Sequence, residues 1–231
     1  MKIPTLFVLP NMLDPELPSE EIFPPRVEKI VRSLDGLIAE SEKGAHLFLR
    51  RFKMRDLPIS LLNEHTPPSA LKELLGPLLK GQWWGLISDC GMPCLADPGS
   101  DLIRSARLSG IHVDVVLGPS SILIALILSG LPCQRFSFHG YLPRDEKERT
   151  AKIVLLAKRA AEDLTTQLFI EAPYRGLKLF DSLLNTLPDK TQLCIAADLT
   201  LPSQYVVTQT VSQWKRQTPP ELKRPTLFLF S

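Results

Sequence analysis

Apolar residues fall along this chain in two alternating patterns. Short, mainly apolar runs, TLFVL at 5–9, LIA at 37–39, WWGLIS at 83–88 and IHVDVV at 111–116, have the length of strands. Between them lie helical spacings: Val27, Ile30, Val31 and Leu34, then Leu71, Leu74, Leu75, Leu78 and Leu79. Thr66 with Pro67 and Pro68 marks a helix start and Gly81 its stop. Asp97 followed by Pro98 reads as an N-cap with a first-turn proline, opening a helix through Leu102, Ile103 and Ala106 to Gly110. A further apolar helix follows from Ile122 to near Gly130, and strands are predicted at 167–170, 193–197, 205–211 and 226–230. The alternation defines an α/β protein. Its expected organisation is two α/β lobes, 1–117 and 118–231. The polar, turn-rich FHGYLPRDEKERT at 138–150 reads as a linker or lid between lobes.

The repeated strand-to-helix junctions carry the chemistry. Three are unusually rich in glycine, proline and small polar residues: ISDCGMPCLADPGS at 87–100, GPSS at 118–121 and EAP at 171–173. In open α/β sheets, ligands bind at such junctions, outside the carboxyl ends of strands and against helix N-termini. Gly91 and Gly99 permit close backbone approach, Pro93 and Pro98 stiffen the loop, and Asp89 and Asp97 can accept hydrogen bonds from hydroxyl or amino groups. For Asp97 and Pro98, plain helix capping is the competing reading.

Composition narrows the classes. With 231 residues, 44% hydrophobic and 23% charged, the chain is an ordinary globular one, and a net charge of +2 excludes a polyelectrolyte binder of nucleic acid. The balance is uneven: 13 basic and 15 acidic residues precede position 118, and 14 basic and 10 acidic follow from it. RRFKMRD at 50–56 concentrates four basic residues, either a solvated helix face or a phosphate contact. Arg50, Arg51, Lys53, Arg55, Arg144 and Arg149 are the candidate phosphate contacts. Pro4 and Pro10 break the opening apolar run, and no stretch reaches the roughly 20 apolar residues that span a bilayer. With four scattered cysteines, the expectation is a cytoplasmic protein with reduced thiols and no membrane partner. CGMPC at 90–94 has three intervening residues, which is not redox spacing, and no metal site is expected.

SDCGMPCLADPG at 88–99, LGPSS at 117–121 and SGLPCQRFSFHGYLPR at 129–144 resemble the tetrapyrrole methylase superfamily, whose patterns run SDAGTPxISDPG, PGPSA and SGLPTDRFxFxGFLP in this order. LFIEAPYR at 168–175 resembles FYESPHR, CIAADLT at 194–200 resembles VARELT, and IAES at 38–41 and ISLLNEHT at 59–66 resemble AAEDTR and SLHEHN. Within the superfamily the likeness is greatest to the ribosomal small-subunit methyltransferase I group, which methylates a cytidine ribose 2′-oxygen of 16S rRNA. The resemblance implies a two-lobed homodimer of tetrapyrrole methylase-like fold with S-adenosylmethionine in the cleft between lobes, acting on ribosomal RNA or the small subunit. It assigns Ser88, Asp89, Gly91, Met92, Pro93, Asp97, Gly118, Ser120, Ser121, Ala172, Ala196 and Ala197 to the cofactor. A ribose hydroxyl needs a base or polarising group, and His139, Glu40 and Glu171 are the candidates. For His139, a hydrogen-bonded residue at the lobe interface is the alternative.

The chain also departs from the family. Its first loop, TPIGNL or GxGxGD in relatives, is LPNMLDPE at 9–16, without glycine; AEDTR has become AESEK; and Met92 replaces a threonine. Methylation of a tetrapyrrole or other small acceptor, and an inactive RNA-binding member, stay open as alternatives.

Overall fold

A computed structural model describes residues 3–14, 16–54 and 57–231, with Ser19 described in its backbone only. The chain divides into two compact units, Met1–Ser120 and Ser121–Ser231.

The first unit runs β1 (Thr5–Val8), α1 (Ser19–Ile22), α2 (Pro25–Val31), β2 (Gly36–Ala39), α3 (Glu42–Arg51), β3 (Ile59–Leu61), a 3-10 turn (Pro68–Ala70), α4 (Leu71–Leu79), β4 (Trp83–Ile87), α5 (Ser100–Leu108) and β5 (His112–Val115). Its five strands form one parallel sheet in the order β3-β2-β4-β1-β5. The unbroken apolar runs of the inner strands follow from this, because a parallel sheet with helices on both sides buries both faces of β1, β2 and β4, whereas the edge strands β3 and β5 are partly exposed. Phe7, Leu9, Leu37 and Ala39 face a core with Val27, Ile30, Val31, Phe48 and Leu49. Leu6, Val8, Ile38 and Leu86 face the opposite core, with Leu74, Leu78, Leu102 and Ala106. The strands' two-residue alternation thus divides the apolar residues between two helical layers.

The strand order sets the site. The chain leaves β2 toward the edge strand β3 and leaves the adjacent β4 in the opposite direction, toward β5. Diverging connections from neighbouring parallel strands open a crevice at their carboxyl ends. The loops after β2 and β4 form its walls, and the loop after β1 is bonded to the β4 loop.

The second unit comprises α6 (Ser121–Leu128), β6 (Phe136–Phe138), α7 (Glu146–Asp163), β7 (Thr166–Glu171), α8 (Gly176–Thr186), β8 (Gln192–Ala197), β9 (Tyr205–Thr210), α9 (Val211–Trp214) and β10 (Thr226–Phe230). Its mixed sheet has the order β6-β7-β10-β8-β9, with β6 parallel to β7 and all other pairs antiparallel. Phe169, Ile195, Phe228 and Phe230 pack toward Ile153, Leu156, Phe180 and Trp214, whereas Leu168, Cys194, Ala196 and Leu229 pack toward Ile122, Ala125 and Leu126 of α6.

Two expectations change. Residues 138–150 do not link the units, since all lie in the second one; Phe138 ends β6, and Asp145 caps the 18-residue α7 by accepting from Glu148 N at 3.0 Å. Asp97 does not cap α5, whose N-cap is Gly99 at φ 138° with no side-chain cap. No helix among the described residues is long and apolar enough to cross a membrane.

Candidate cofactor site

At the crevice of the first unit, the glycine-free first loop is braced by Asn11. Its backbone N–H donates to Gly91 O at 2.7 Å, and its side-chain amide donates to Ser88 O at 2.9 Å and Asp89 O at 3.1 Å. Asn11 Oδ1 accepts from Met12 N at 2.8 Å, so this buried side chain uses donor and acceptor alike. The third loop closes on the same place. Gly118 lies flat against the Pro10 ring, and a β-carbon on Gly91, whose φ is +74°, would come within 3.3 Å of Leu13 Cδ2 and 3.6 Å of Pro119 O. The loops after β1, β4 and β5 therefore meet around Gly91.

Carboxylates gather beside them. Glu40, at the end of β2, accepts Asp89 N on Oε2 at 3.1 Å. Ser41 caps α3, accepting Gly44 N at 2.9 Å and donating to Asp89 Oδ1 at 2.8 Å. The Asp89 carboxylate consequently lies at the positive end of the α3 dipole. Burial raises the Asp97 carboxyl to about 6, with Glu40 and then Asp89 adding to the rise and a Ser88 hydrogen bond opposing it. The same burial and the carboxylates push the Cys90 thiol to about 11; burial and Asp97 do so for Cys94. Both thiols stay protonated near neutrality, which removes them as nucleophiles. Left-handed backbone at Gly91, Cys94, Ala96 and Gly99 coils this loop tightly. An acid-lined, tightly turned cradle at a sheet switch point suits a small ligand carrying positive charge and hydroxyl groups.

Ser88 and Pro93 are buried, and Ser88 Oγ donates to Cys90 O at 3.1 Å. Met92 packs its side chain against the core cluster that includes Leu86. Ser120 is buried at the end of the first unit. The structure thus brings Glu40, Ser88, Asp89, Gly91, Met92, Pro93, Asp97, Gly118 and Ser120 to one edge of one sheet.

The other expected site residues belong to the second unit. Ser121 opens α6, and Ala196 and Ala197 are buried in β8 between β10 and β9. Glu171, 1% exposed, ends β7; Oε1 accepts Ala172 N at 2.9 Å and Oε2 lies 2.9 Å from Arg175 Nη2. Burial raises its carboxyl, against the Ala172 N–H and Arg175. His139 follows β6. Gln167 donates its amide to Thr165 O at 2.9 Å, which turns Oε1 toward His139 Nε2 at 2.7 Å. The ring is therefore protonated on Nε2 and keeps a lone pair on Nδ1. Burial lowers its pKa, so the imidazole is neutral at pH 7.

Of the candidate phosphate contacts, Arg50 and Arg51 end α3, Lys53 follows it in left-handed backbone, and Arg55 lies outside the described residues. Arg149 is buried, not presented to solvent. Sequence reasoning missed Asn11, Ser41 and Gly44. The Ser41-to-Gly44 spacing after a strand is a readable N-cap signal; nothing local marks Asn11, whose partners lie 77 and 78 residues away.

The fold is that of the methyltransferase CobJ, which superposes with a TM-score of 0.64 at 15% identity, over 97% of this chain and 92% of that one. The family model of tetrapyrrole (corrin/porphyrin) methylases matches residues 78–214. Similar proteins include ribosomal RNA small subunit methyltransferase I of Thermotoga maritima, 30% identical over 198 residues that make up 84% of this chain and 86% of that protein. The protein of the same name from Xylella fastidiosa is 31% identical over 84% of this chain and 69% of its own length. That of Synechocystis is 32% identical over 76% and 61%. The chain belongs to the tetrapyrrole methylase family, and it is a methyltransferase.

Proposed function

We propose that the protein transfers a methyl group from S-adenosylmethionine to a ribose 2′-hydroxyl of small-subunit ribosomal RNA. The observation that carries the cofactor reading is the convergence of Glu40, Asp89 and Asp97 on the turned loop after β4, which matches a ligand with a sulfonium, an ammonium and ribose hydroxyls. The acceptor reading rests on the relatives' name and on the basic excess from residue 118 onward.

The cofactor supplies an activated methyl group whose leaving sulfur becomes neutral. The chain's own contribution is to bind, align and exclude water, which suffices for much of such a displacement. Glu40, Asp89 and Asp97 hold positive charge, and Asn11 keeps the Ser88–Gly91 backbone from opening. His139 takes the hydroxyl proton on Nδ1, while Gln167 holds Nε2–H. Glu171 is committed to Arg175 and Ala172 and serves the second unit's structure. The exposed Leu123, Ile127 and Leu128 of α6 support a homodimer covering that apolar face, and the site of action is the cytoplasm.

The test is to incubate the protein with methyl-labelled S-adenosylmethionine and small ribosomal subunits from a strain lacking the gene, then map the label. A 2′-O-methyl ribose in 16S rRNA is the expected result. Label confined to a porphyrinoid pool, or no transfer, overturns the reading.

A further inference from the structure

We propose that a basic cavity in the second unit, walled by Arg144, Arg149, Arg175 and Lys178 with Tyr174 at its rim, grips a backbone phosphate of single-stranded RNA and stacks the neighbouring base on Tyr174. This rests on RNA being the acceptor. The cavity, ≈ 200 Å³, lies beside the turn from β7 into α8 and is also lined by Glu171 and Leu179. A wider depression of ≈ 490 Å³ shares Arg144, Arg149 and Lys178 and continues past Thr150, Ser182 and Asn185; Glu146 and Asp181 stand along that outer part.

Charge selects the ligand. The single acid of the inner cavity, Glu171, is taken up by Arg175 at 2.9 Å. Arg149, only 7% exposed, donates Nε to Ser182 Oγ at 3.0 Å and Nη1 to Arg144 O at 2.9 Å and Pro143 O at 3.5 Å, all neutral acceptors. Among the described residues, neither Arg149, Arg144 nor Lys178 forms an ion pair at this cavity. The one Glu171 carboxylate faces Arg175 and, more weakly, Arg149 and Arg144, so with Lys178 the wall keeps a net positive charge that an entering anion offsets. Arg144 and Lys178 are exposed and free to meet it.

The second selector is Tyr174. It is 75% exposed on a turn whose backbone is fixed at both sides, by Glu171 on Ala172 N and by Arg175 N–H donating to Ala172 O. Arg175 Nη2 also donates to Leu142 O at 2.8 Å, tying this turn to the 142–144 segment. A rigidly mounted, solvent-facing aromatic beside a phosphate-sized basic cavity is how proteins hold unpaired nucleotides.

The experiment measures affinity of the full chain for a 16S rRNA transcript across a salt series. Tyr174→Ala should weaken binding about tenfold, and Tyr174→Phe should retain it. Arg144→Ala combined with Lys178→Ala should reduce the slope of log affinity against log salt by about 0.7, the share of one single-strand phosphate contact. Affinity for S-adenosylhomocysteine and the melting temperature should stay unchanged in all variants. Wild-type affinity and slope in the variants, with methylation of the rRNA by the unaltered protein intact, would overturn the cavity's role and leave the proposed function standing. Failure of the unaltered protein to bind or methylate any RNA overturns both. A third arm uses inorganic pyrophosphate: tight stoichiometric binding with no change of RNA affinity in the variants assigns the cavity to a free phosphoanion and overturns the RNA assignment.

Discussion

The carboxylate of Asp89 occupies the space that a β-carbon on Gly44 would fill. Gly44 is in the first turn of α3, where alanine is otherwise favoured over glycine by about 1 kcal/mol. Gly44→Ala should therefore leave stability unchanged or slightly raised while swinging Asp89 away from Ser41 and out of the acid-lined cradle. The expected result is a melting temperature at or above that of the unaltered protein with S-adenosylmethionine affinity reduced about tenfold, on the scale of one charge-assisted contact. Calorimetric titration checks it, and unchanged affinity would remove Asp89 from the site.

Asp97 predicts a pH signature. Its carboxyl titrates at about 6 in the folded chain against 3.8 ordinarily. Between those values the folded state holds a proton that the unfolded state has released, so this group's contribution to stability falls as pH rises from about 4 to 6 and is level above. Asp97→Asn should match the unaltered protein in melting temperature near pH 3.5 and exceed it progressively up to pH 6. A cationic ligand favours the ionised carboxylate, so S-adenosylmethionine affinity of the unaltered protein should climb over the same interval and stay flat in Asp97→Asn.

Removing the Asn11 amide leaves two inner carbonyls, those of Ser88 and Asp89, without their donor. Asn11→Ala should cost about 1–3 kcal/mol. Asn11→Asp should cost more, since it sets a carboxylate against the same two oxygens. Urea unfolding measures both, and a smaller loss in Asn11→Asp would contradict the bracing role.

Much of this architecture was legible, and the reason is burial. Strands at 83–88 and 226–230 announced themselves because a sheet covered on both faces demands unbroken apolar runs, and β4 and β10 fall there. β3 and β6, three residues each and partly exposed, had no such signal. Only the opening EKERT of α7 falls in the stretch 138–150 that reads as a linker, because it is charged and the helix's apolar stripe begins only at Ile153. In the site, the β4 loop could be found from its glycines and prolines. Asn11 could not, because its role exists only once β1 and β4 are neighbours. Asp97 was legible as important but ambiguous in role, and the left-handed backbone at Ala96 and Gly99 separates it from α5 and gives it to the cradle.

The pairing of His139 with Gln167 sets the imidazole's tautomer, and its consequence appears in a rate profile. Gln167→Glu places a carboxylate on Nε2, favours the imidazolium and raises the His139 pKa. The acidic limb of the methyl-transfer rate should then move to higher pH with cofactor affinity unchanged. His139→Ala should lower the rate about 10²- to 10⁴-fold. A limb that does not move in Gln167→Glu would exclude His139 as the proton acceptor.

The position of β10 orders assembly in time. Every strand of the first sheet is drawn from residues 5–115, so that unit has all its parts early in synthesis. The second sheet is different: its middle strand, flanked by β7 and β8, comes from residues 226–230, some 30 residues after β8 has been made. Until the ribosome has delivered them, β7 and β8 have no common neighbour and leave Phe169, Ile195 and their companions without the strand that joins them. The first unit is thus built to fold while translation continues, and the second waits for its keystone.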